Sequence, residues 1–255
     1  MCLFFTQGFV SGRKQIPMMA DEKSPARISH RLFATKSLRN EDKRMAGHFY
    51  NGRELELLIP ASSLEVLKTA VIFGADAVYI GGEAFGLRAK AKNFSMEDMK
   101  EGIAFAHAHD VKVYVTANIL AHNYDLEGAR AYFEELKTIG RDALIISDPG
   151  MFTIAKEVMP DTDIHISTQA NNTNYMTYQF WWKQGAKRVV SARELSLNEI
   201  KQIREHIPDE MEIETFMHGA MCISYSGRCL LSSFMAGRDA NRGACTHPCR
   251  WKYSI

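Results

Sequence analysis

Short apolar stretches recur along the chain from residue 54, and segments with helical spacing separate them. Between the stretches, apolar residues recur at helical spacing, as at Leu126, Ala129 and Phe133, which is typical of amphipathic helices. Alternating strands and helices predict parallel pairing, and uniformly apolar strands predict burial on both faces. The predicted strands are Leu55–Ile59, Ala77–Ile80, Val111–Thr116, Ala143–Ile146, Asp163–Ser167, Arg188–Ser191, Glu212–Phe216 and Trp251–Ile255.

Eight such strands predict an α/β fold of the (β/α)8 TIM-like barrel type over residues 53–255. The alternative is an open doubly wound sheet, but the glycines at positions 81, 82 and 86 do not form its Gly-x-Gly-x-x-Gly fingerprint. Two capping boxes, Ser62 with Glu65 and Ser196 with Glu199, predict helix starts. Because no residues remain for an eighth helix, we expect a barrel truncated after the eighth strand.

Residues 1–52 show neither the helical spacing nor the apolar strand pattern, and they hold nine basic and four acidic side chains. We interpret them as a disordered or non-native extension, with Met45 as an alternative start. The remaining residues carry 22 basic and 26 acidic side chains, which argues against nucleic-acid binding spread over the whole surface.

The composition is that of a folded, water-soluble protein, with 46% hydrophobic and 24% charged residues. No apolar run approaches the ~18 residues of a membrane span, and no signal segment is evident. Five cysteines are too few for a disulfide scaffold in 255 residues. We therefore expect a cytoplasmic protein without a membrane partner.

In a barrel, the active site lies where the strands end. The side chains that follow the predicted strands are mainly amides, guanidinium groups and a histidine, which suits a polar or anionic planar ligand. For each residue the alternative is a cap or loop role, as for Ser147 and Asp148 before a turn. The candidates are Arg88, Asn118, Gln169, Asn171, Arg193 and His218.

Known hydrolase signatures are absent, since the chain has neither His-Glu-x-x-His nor Gly-x-Ser-x-Gly. A cysteine-protease arrangement of Cys222 with His218 stays open.

Four of the five cysteines lie in residues 218–250, here called the cysteine segment. Thiolates in glycine-containing loops can wrap a compact centre, and the spacing of Cys245 and Cys249 lets both share one. Paired Cys-x-x-Cys motifs are missing, so an iron–sulfur cluster at the barrel mouth is favoured over a zinc ribbon. The alternative is four buried small side chains. The four are Cys222, Cys229, Cys245 and Cys249.

Five cations surround the cysteines against the single acidic residue Asp239. Such charge can balance an anionic cluster, bind an anionic substrate or contact a nucleic-acid backbone. The cations are Arg228, Arg238, Arg242, Arg250 and Lys252.

The stretch from Glu214 to Ser232 resembles the signature of the peptidase U32 family, also known as collagenase-like proteases. Further blocks carry the resemblance across residues 54–255: Leu58–Ala61, Gly74–Tyr79, Ser147–Gly150, His165–Asn171 and Ser191–Ser196. It is greatest to the branch that hydroxylates the wobble uridine of transfer RNA, with prephenate instead of molecular oxygen.

This resemblance implies an oxygen-independent hydroxylase with a 4Fe-4S cluster. Cys222, Cys229 and Cys245 match the family's cluster ligands, and the fourth is Cys249 or a residue further downstream. The family also carries a C-terminal part beyond the barrel that is absent here, so tRNA contacts are expected through that part or a partner protein.

With prephenate as co-substrate, we expect arginines to bind its carboxylates and polar side chains to orient the acceptor ring. Two alternatives stay open: a U32 peptidase, and a truncated, non-catalytic fragment that binds RNA or a partner. The expected carboxylate ligands are Arg88, Arg193 and Arg250, and Asn171 is a further expected substrate-binding residue. The expected catalytic residues, which orient the ring, are Asn118, Gln169 and His218.

Overall fold

The computed structural model describes residues 3–6, 48–50, 53–86, 93–219 and 221–254. Seven parallel strands, β4 to β10, follow one another around a curled sheet in chain order. The strands are β1 (Leu3–Thr6), β2 (His48–Tyr50), β3 (Arg53–Leu55), β4 (Leu57–Pro60), β5 (Ala77–Gly81), β6 (Lys112–Ala117), β7 (Ala143–Ile146), β8 (Asp163–Ile166), β9 (Arg188–Val190) and β10 (Glu212–His218). The α/β fold with a parallel sheet is thus confirmed.

Helices connect the parallel strands and cover the outside of the sheet. The helices are α1 (Leu64–Ile72), α2 (Met96–His107), α3 (Asn123–Lys137), α4 (Pro149–Val158), α5 (Tyr175–Lys183), α6 (Leu197–Glu205) and α7 (Leu231–Ala236). The first turns of α1, α2, α4, α5 and α6 are capped by side chains that accept backbone amide protons, because those amides lack partners within the helix. The capping box of Ser196 and Glu199 is confirmed, whereas the one predicted at Ser62 is wrong by one residue, since Ser63 caps that helix.

The predicted eighth strand, Trp251–Ile255, is wrong over the described residues 251–254, which are irregular. The Trp251 indole N–H donates to the Thr246 carbonyl at 3.2 Å, and the Tyr253 hydroxyl donates to the Pro248 carbonyl at 2.8 Å. These bonds hold the stretch against the 3-10 helix Pro248–Arg250 instead of the sheet.

Strand β1 takes the place between β4 and β10, antiparallel to both, and closes the sheet into a barrel. A short hairpin of β2 and β3 precedes β4. Most of residues 1–52, predicted as an extension outside the fold, lie outside the described residues.

A cluster of ionisable side chains fills the amino end of the barrel, and we call it the buried charged cluster. Arg188, the first residue of β9, donates to Glu56 at 2.7 Å and to Glu212 at 2.7 Å, and lies 3.4 Å from Glu214. The predicted strand Leu55–Ile59 is interrupted at Glu56, whose carboxylate also accepts from the Tyr114 hydroxyl at 2.7 Å. Polar groups thus plug this end, while the carboxyl ends of the strands stay available for a site.

The main apolar core lies between the sheet and the helices, with fully buried residues such as Val113, Phe133 and Leu144. None of the described helices has the length and apolar composition of a membrane span.

Candidate functional site

The cysteine segment lies over the carboxyl ends of the strands and is tied to the loops there. The Ser226 amide donates to Glu194 after β9 at 3.1 Å, and the Leu120 amide after β6 donates to the Asn241 carbonyl at 3.0 Å. Arg242 pairs with Asp125 in the first turn of α3 at 2.8 Å. The segment therefore belongs to the same edge of the sheet as the predicted site residues.

A cavity of about 340 Å³ lies between the loop after β9 and the start of the cysteine segment. Its polar side includes Arg193 and Glu194, and Cys222 and Tyr225 line it from the segment. The Arg193 guanidinium carbon lies 4.4 Å from the centre of the Phe216 ring, which is a cation–π contact. A cavity of this size with a fixed cation suits a small anionic molecule.

The structure brings three of the predicted amide side chains to this edge. Ser167 accepts from the Asn118 amide group and from the Gln169 backbone N–H, both at 3.3 Å, so one hydroxyl links the loops after β6 and β8. Asn171 adopts a left-handed conformation with φ of 52° and donates to Glu194 at 3.5 Å. These contacts place Asn118, Gln169 and Asn171 on loops at this edge, and Asn171 also contacts Glu194, which lines the cavity.

Two other predicted residues, His218 and Arg250, are exposed. His218 is the exposed last residue of β10, and the exposed Arg250 ends the 3-10 helix Pro248–Arg250. In the described ranges neither one lines the cavity. The prediction for Arg88 falls outside the described residues.

The four cysteines of the segment are free thiols, and Cys222, Cys245 and Cys249 are exposed while Cys229 is half-buried. The alternative of four buried small side chains is therefore wrong. The His247 backbone N–H donates to the Cys245 sulfur at 3.4 Å, as amides do around sulfur ligands.

Soft thiol donors match an iron–sulfur cluster in chemistry. Across the part of the chain that the structure describes, no three His, Cys, Asp or Glu side chains are grouped closely enough to hold one metal ion. The donor set thus fits the group in chemistry, and the thiols are not gathered around one point in the described structure.

Sequence reasoning missed two residues that shape this site, Phe216 and Gly227. Phe216 packs against Arg193. Its position two residues before His218 puts both residues on the same face of β10, and this spacing could have indicated Phe216 from the sequence. Gly227 has φ of +70°, and a Cβ there would stand 2.0 Å from the Gln169 carbonyl oxygen. The backbone of the cysteine segment thus rests directly on the loop after β8.

Comparison with known proteins gives a consistent family assignment. The sequence profile of "Peptidase family U32" matches residues 62–255. The chain is 47% identical to "tRNA hydroxylation protein P1" of Bacillus subtilis over 200 residues, covering 78% of this chain and 47% of that protein. It is 40% identical to "23S rRNA 5-hydroxycytidine C2501 synthase" of Escherichia coli, covering 80% of this chain and 30% of that one. The chain thus spans about half the length of the first relative, and less of the second.

Among solved structures, a U32 peptidase is similar with a TM-score of 0.52 and 14% identity, over 64% of this chain and 70% of that one. A likeness at this identity shows the fold.

Proposed function

Because the chain belongs to peptidase family U32, we propose that it hydroxylates the wobble uridine of tRNA to 5-hydroxyuridine, with prephenate as the hydroxyl donor. One observation carries the proposal, the 47% identity to a protein named for tRNA hydroxylation. The second relative is named for producing 5-hydroxycytidine in ribosomal RNA. Both names describe hydroxylation of RNA, which supports an RNA base as the acceptor.

The proposed cofactor is a 4Fe-4S cluster held by Cys222, Cys229 and Cys245, with Cys249 or a residue of the longer protein as fourth ligand. The accessible thiols and the amide that donates to Cys245 support this assignment. When bound, such a cluster supplies redox or Lewis-acid chemistry beside the cavity.

The residues of the cavity edge are proposed to bind and orient the two substrates. Arg193, in cation–π contact with Phe216, pairs with a prephenate carboxylate, because a guanidinium binds carboxylates in a bidentate manner. Asn118 and Gln169 offer amide groups to the uracil ring, and His218 lies at the open rim. Arg88 and Asn171 complete the proposed substrate-binding set, whereas Arg250 does not line the cavity and is not part of that set.

The seven parallel strands are proposed to belong to a (β/α)8 barrel in a longer protein. tRNA would then also contact parts that the present chain does not include, or a partner protein. The reaction is placed in the cytoplasm, where its proposed substrate tRNA occurs.

The deciding experiment expresses this chain in a bacterial strain that lacks tRNA uridine hydroxylation and measures 5-hydroxyuridine in digested tRNA by mass spectrometry. We expect the modification to be restored, and anaerobically purified protein to contain about four irons and four acid-labile sulfides per chain. Cys222→Ser is expected to lose the iron and the modification together. Cys2→Ser, which changes the one cysteine outside the segment, serves as the control.

Unmodified tRNA in the presence of intact protein would contradict the proposal that this chain hydroxylates tRNA by itself, and would favour the non-catalytic alternative. Protein without iron that cleaves a collagen-like peptide, with activity lost in Cys222→Ala, would favour the peptidase. That second candidate is supported by Cys222 lining the cavity, four residues after His218.

Arg193→Ala is expected to raise the KM for prephenate about tenfold to a hundredfold, because a charge-assisted hydrogen bond is lost. The visible absorbance of the cluster should not change. Arg193→Lys should recover part of the affinity, since it keeps the charge without the planar fork. Arg130→Ala, which removes an arginine paired with Glu157 on the outer helices, is the control, and an unchanged KM in Arg193→Ala would refute the assignment.

A further inference from the structure

Four exposed Phe, Tyr and Trp side chains lie on and beside the cysteine segment. Tyr225 lines the cavity, and we call the other three the aromatic surface: Phe234, Trp251 and Tyr253. Their exposed fractions are 86%, 44% and 58%. Helix α7, which carries Phe234, packs beside the 3-10 helix that Trp251 follows. Exposed aromatic groups of this kind are typical of a binding surface.

The aromatic surface is held in place by bonds within its own segment. The hydroxyl of Ser232, which is buried in α7, accepts from the Thr246 amide at 3.1 Å, and the Thr246 carbonyl accepts from the Trp251 indole. The Tyr253 hydroxyl donates to the Pro248 carbonyl. The polar groups of Trp251 and Tyr253 are thus hydrogen-bonded within the segment, while much of each ring stays exposed. Because these bonds already fix the side chains, less conformational entropy is lost when a ligand binds.

Cations alternate with the aromatic residues at the end of the chain, in the order Arg250, Trp251, Lys252 and Tyr253, all exposed. Across residues 228–252 the charge is +4, from five basic residues and Asp239. The only acidic side chain there caps a short helix, since Asp239 accepts from the Asn241 amide at 2.8 Å. The charge therefore favours an anionic partner.

We propose that the aromatic surface binds a single-stranded RNA loop, with unpaired bases stacked on its rings and phosphates paired with Arg250 and Lys252. Stacking requires bases that are not paired in a helix, and flanking cations bind the backbone between them. This inference rests on the proposed function, because the wobble uridine lies in such a loop. Arg250 follows Cys249 directly, so the bound loop lies next to the cysteines.

The test uses fluorescence anisotropy to measure the binding of a fluorescein-labelled RNA hairpin with an unpaired loop. A blunt RNA duplex is added as competitor, and its affinity is compared with that of the hairpin. Phe234→Ala and Trp251→Ala are each expected to weaken hairpin binding about tenfold, and Trp251→Phe to keep most of it. Arg250→Gln and Lys252→Gln should each reduce the dependence of binding on salt concentration.

Matched controls lie at the opposite edge of the sheet. Phe73, which follows α1, is 82% exposed, and Lys183 is the exposed last residue of α5. Phe73→Ala and Lys183→Gln are expected to bind the hairpin like the unchanged protein. Thermal melting of every variant checks that it is folded. If Trp251→Ala is unfolded, the proposal is judged on the hairpin affinity of Phe234→Ala.

Wild-type binding by Phe234→Ala, or equal affinity for the duplex and the hairpin, would overturn the proposal. Failure of the proposed function looks different, because tRNA would then remain unmodified while the hairpin still binds through the aromatic surface. If tRNA is hydroxylated normally by Phe234→Ala and hairpin binding is unchanged, the surface is refuted and the function stands.

Discussion

Replacing Arg188 with methionine is expected to lower the free energy of unfolding by about 3–5 kcal/mol, the cost of leaving buried charges without their partner. The Arg188 side chain is 4% exposed and pairs with Glu56, Glu212 and Glu214. Burial on its own raises the pKa of Glu56, but Arg188, together with Tyr114 and Lys112, more than offsets this, so the net pKa is lowered. Chemical denaturation monitored by circular dichroism measures the loss.

The cation that directly precedes the same strand provides the control. Lys187 lies 4.0 Å from Glu212, and its side chain is 38% exposed. Lys187→Met removes the same charge from a solvated position and is expected to cost less than about 1 kcal/mol. If Arg188→Met lowers the free energy of unfolding by no more than Lys187→Met does, the stability of the buried charged cluster does not depend on Arg188.

Glu214→Gln tests the same cluster through its pH dependence. Burial raises the pKa of Glu214 to about 7, while Arg188 opposes the shift. A carboxyl group with a raised pKa stabilises the fold below about pH 4.5, and this stability is lost as the pH rises towards 7. The free energy of unfolding of the variant should therefore equal that of the wild type near pH 4.5. At pH 8 it should be higher, by on the order of 3 kcal/mol.

The parallel sheet could be predicted because its strands are apolar on both faces, and seven of the eight predicted strands are present. The eighth was wrong because Trp251 and Tyr253 alternate like strand residues, whereas their side chains bond to the preceding turn. Strand β1 could not be predicted, since four residues isolated in sequence have no period, and only pairing with β4 and β10 places them.

The position of the site could be predicted from the strand ends, but its internal contacts could not. Arg193 was predicted as a ligand-binding residue, and the structure places it in the cavity. Its support by Phe216 depends on how β9 and β10 lie next to each other. The buried charged cluster was missed for a similar reason, although Arg188, Glu212 and Glu214 are charges at the start of otherwise apolar strands.

Gly227→Ala is expected to displace the cysteine segment. Under the proposed function it should also lower tRNA hydroxylation about a hundredfold, because a shift of about 1 Å in catalytic groups has effects of this size. A Cβ at this position would stand 2.0 Å from the Gln169 carbonyl oxygen, which is backbone and cannot rotate away. Moving the segment also breaks the bond from the Ser226 amide to Glu194. Quantifying 5-hydroxyuridine measures the loss.

Gly237→Ala separates this steric contact from backbone strain. Gly237 has φ of +61°, close to the +70° of Gly227, and none of the described atoms lies within 4 Å of a Cβ there. Both variants carry the strain of a left-handed residue, about 1–2 kcal/mol, but Gly227→Ala alone pushes against the loop after β8. Faster trypsin cleavage after Arg228 in Gly227→Ala would show the displacement independently of catalysis. Equal activity and equal cleavage in the two variants would mean that strain, and not the contact with Gln169, controls the segment.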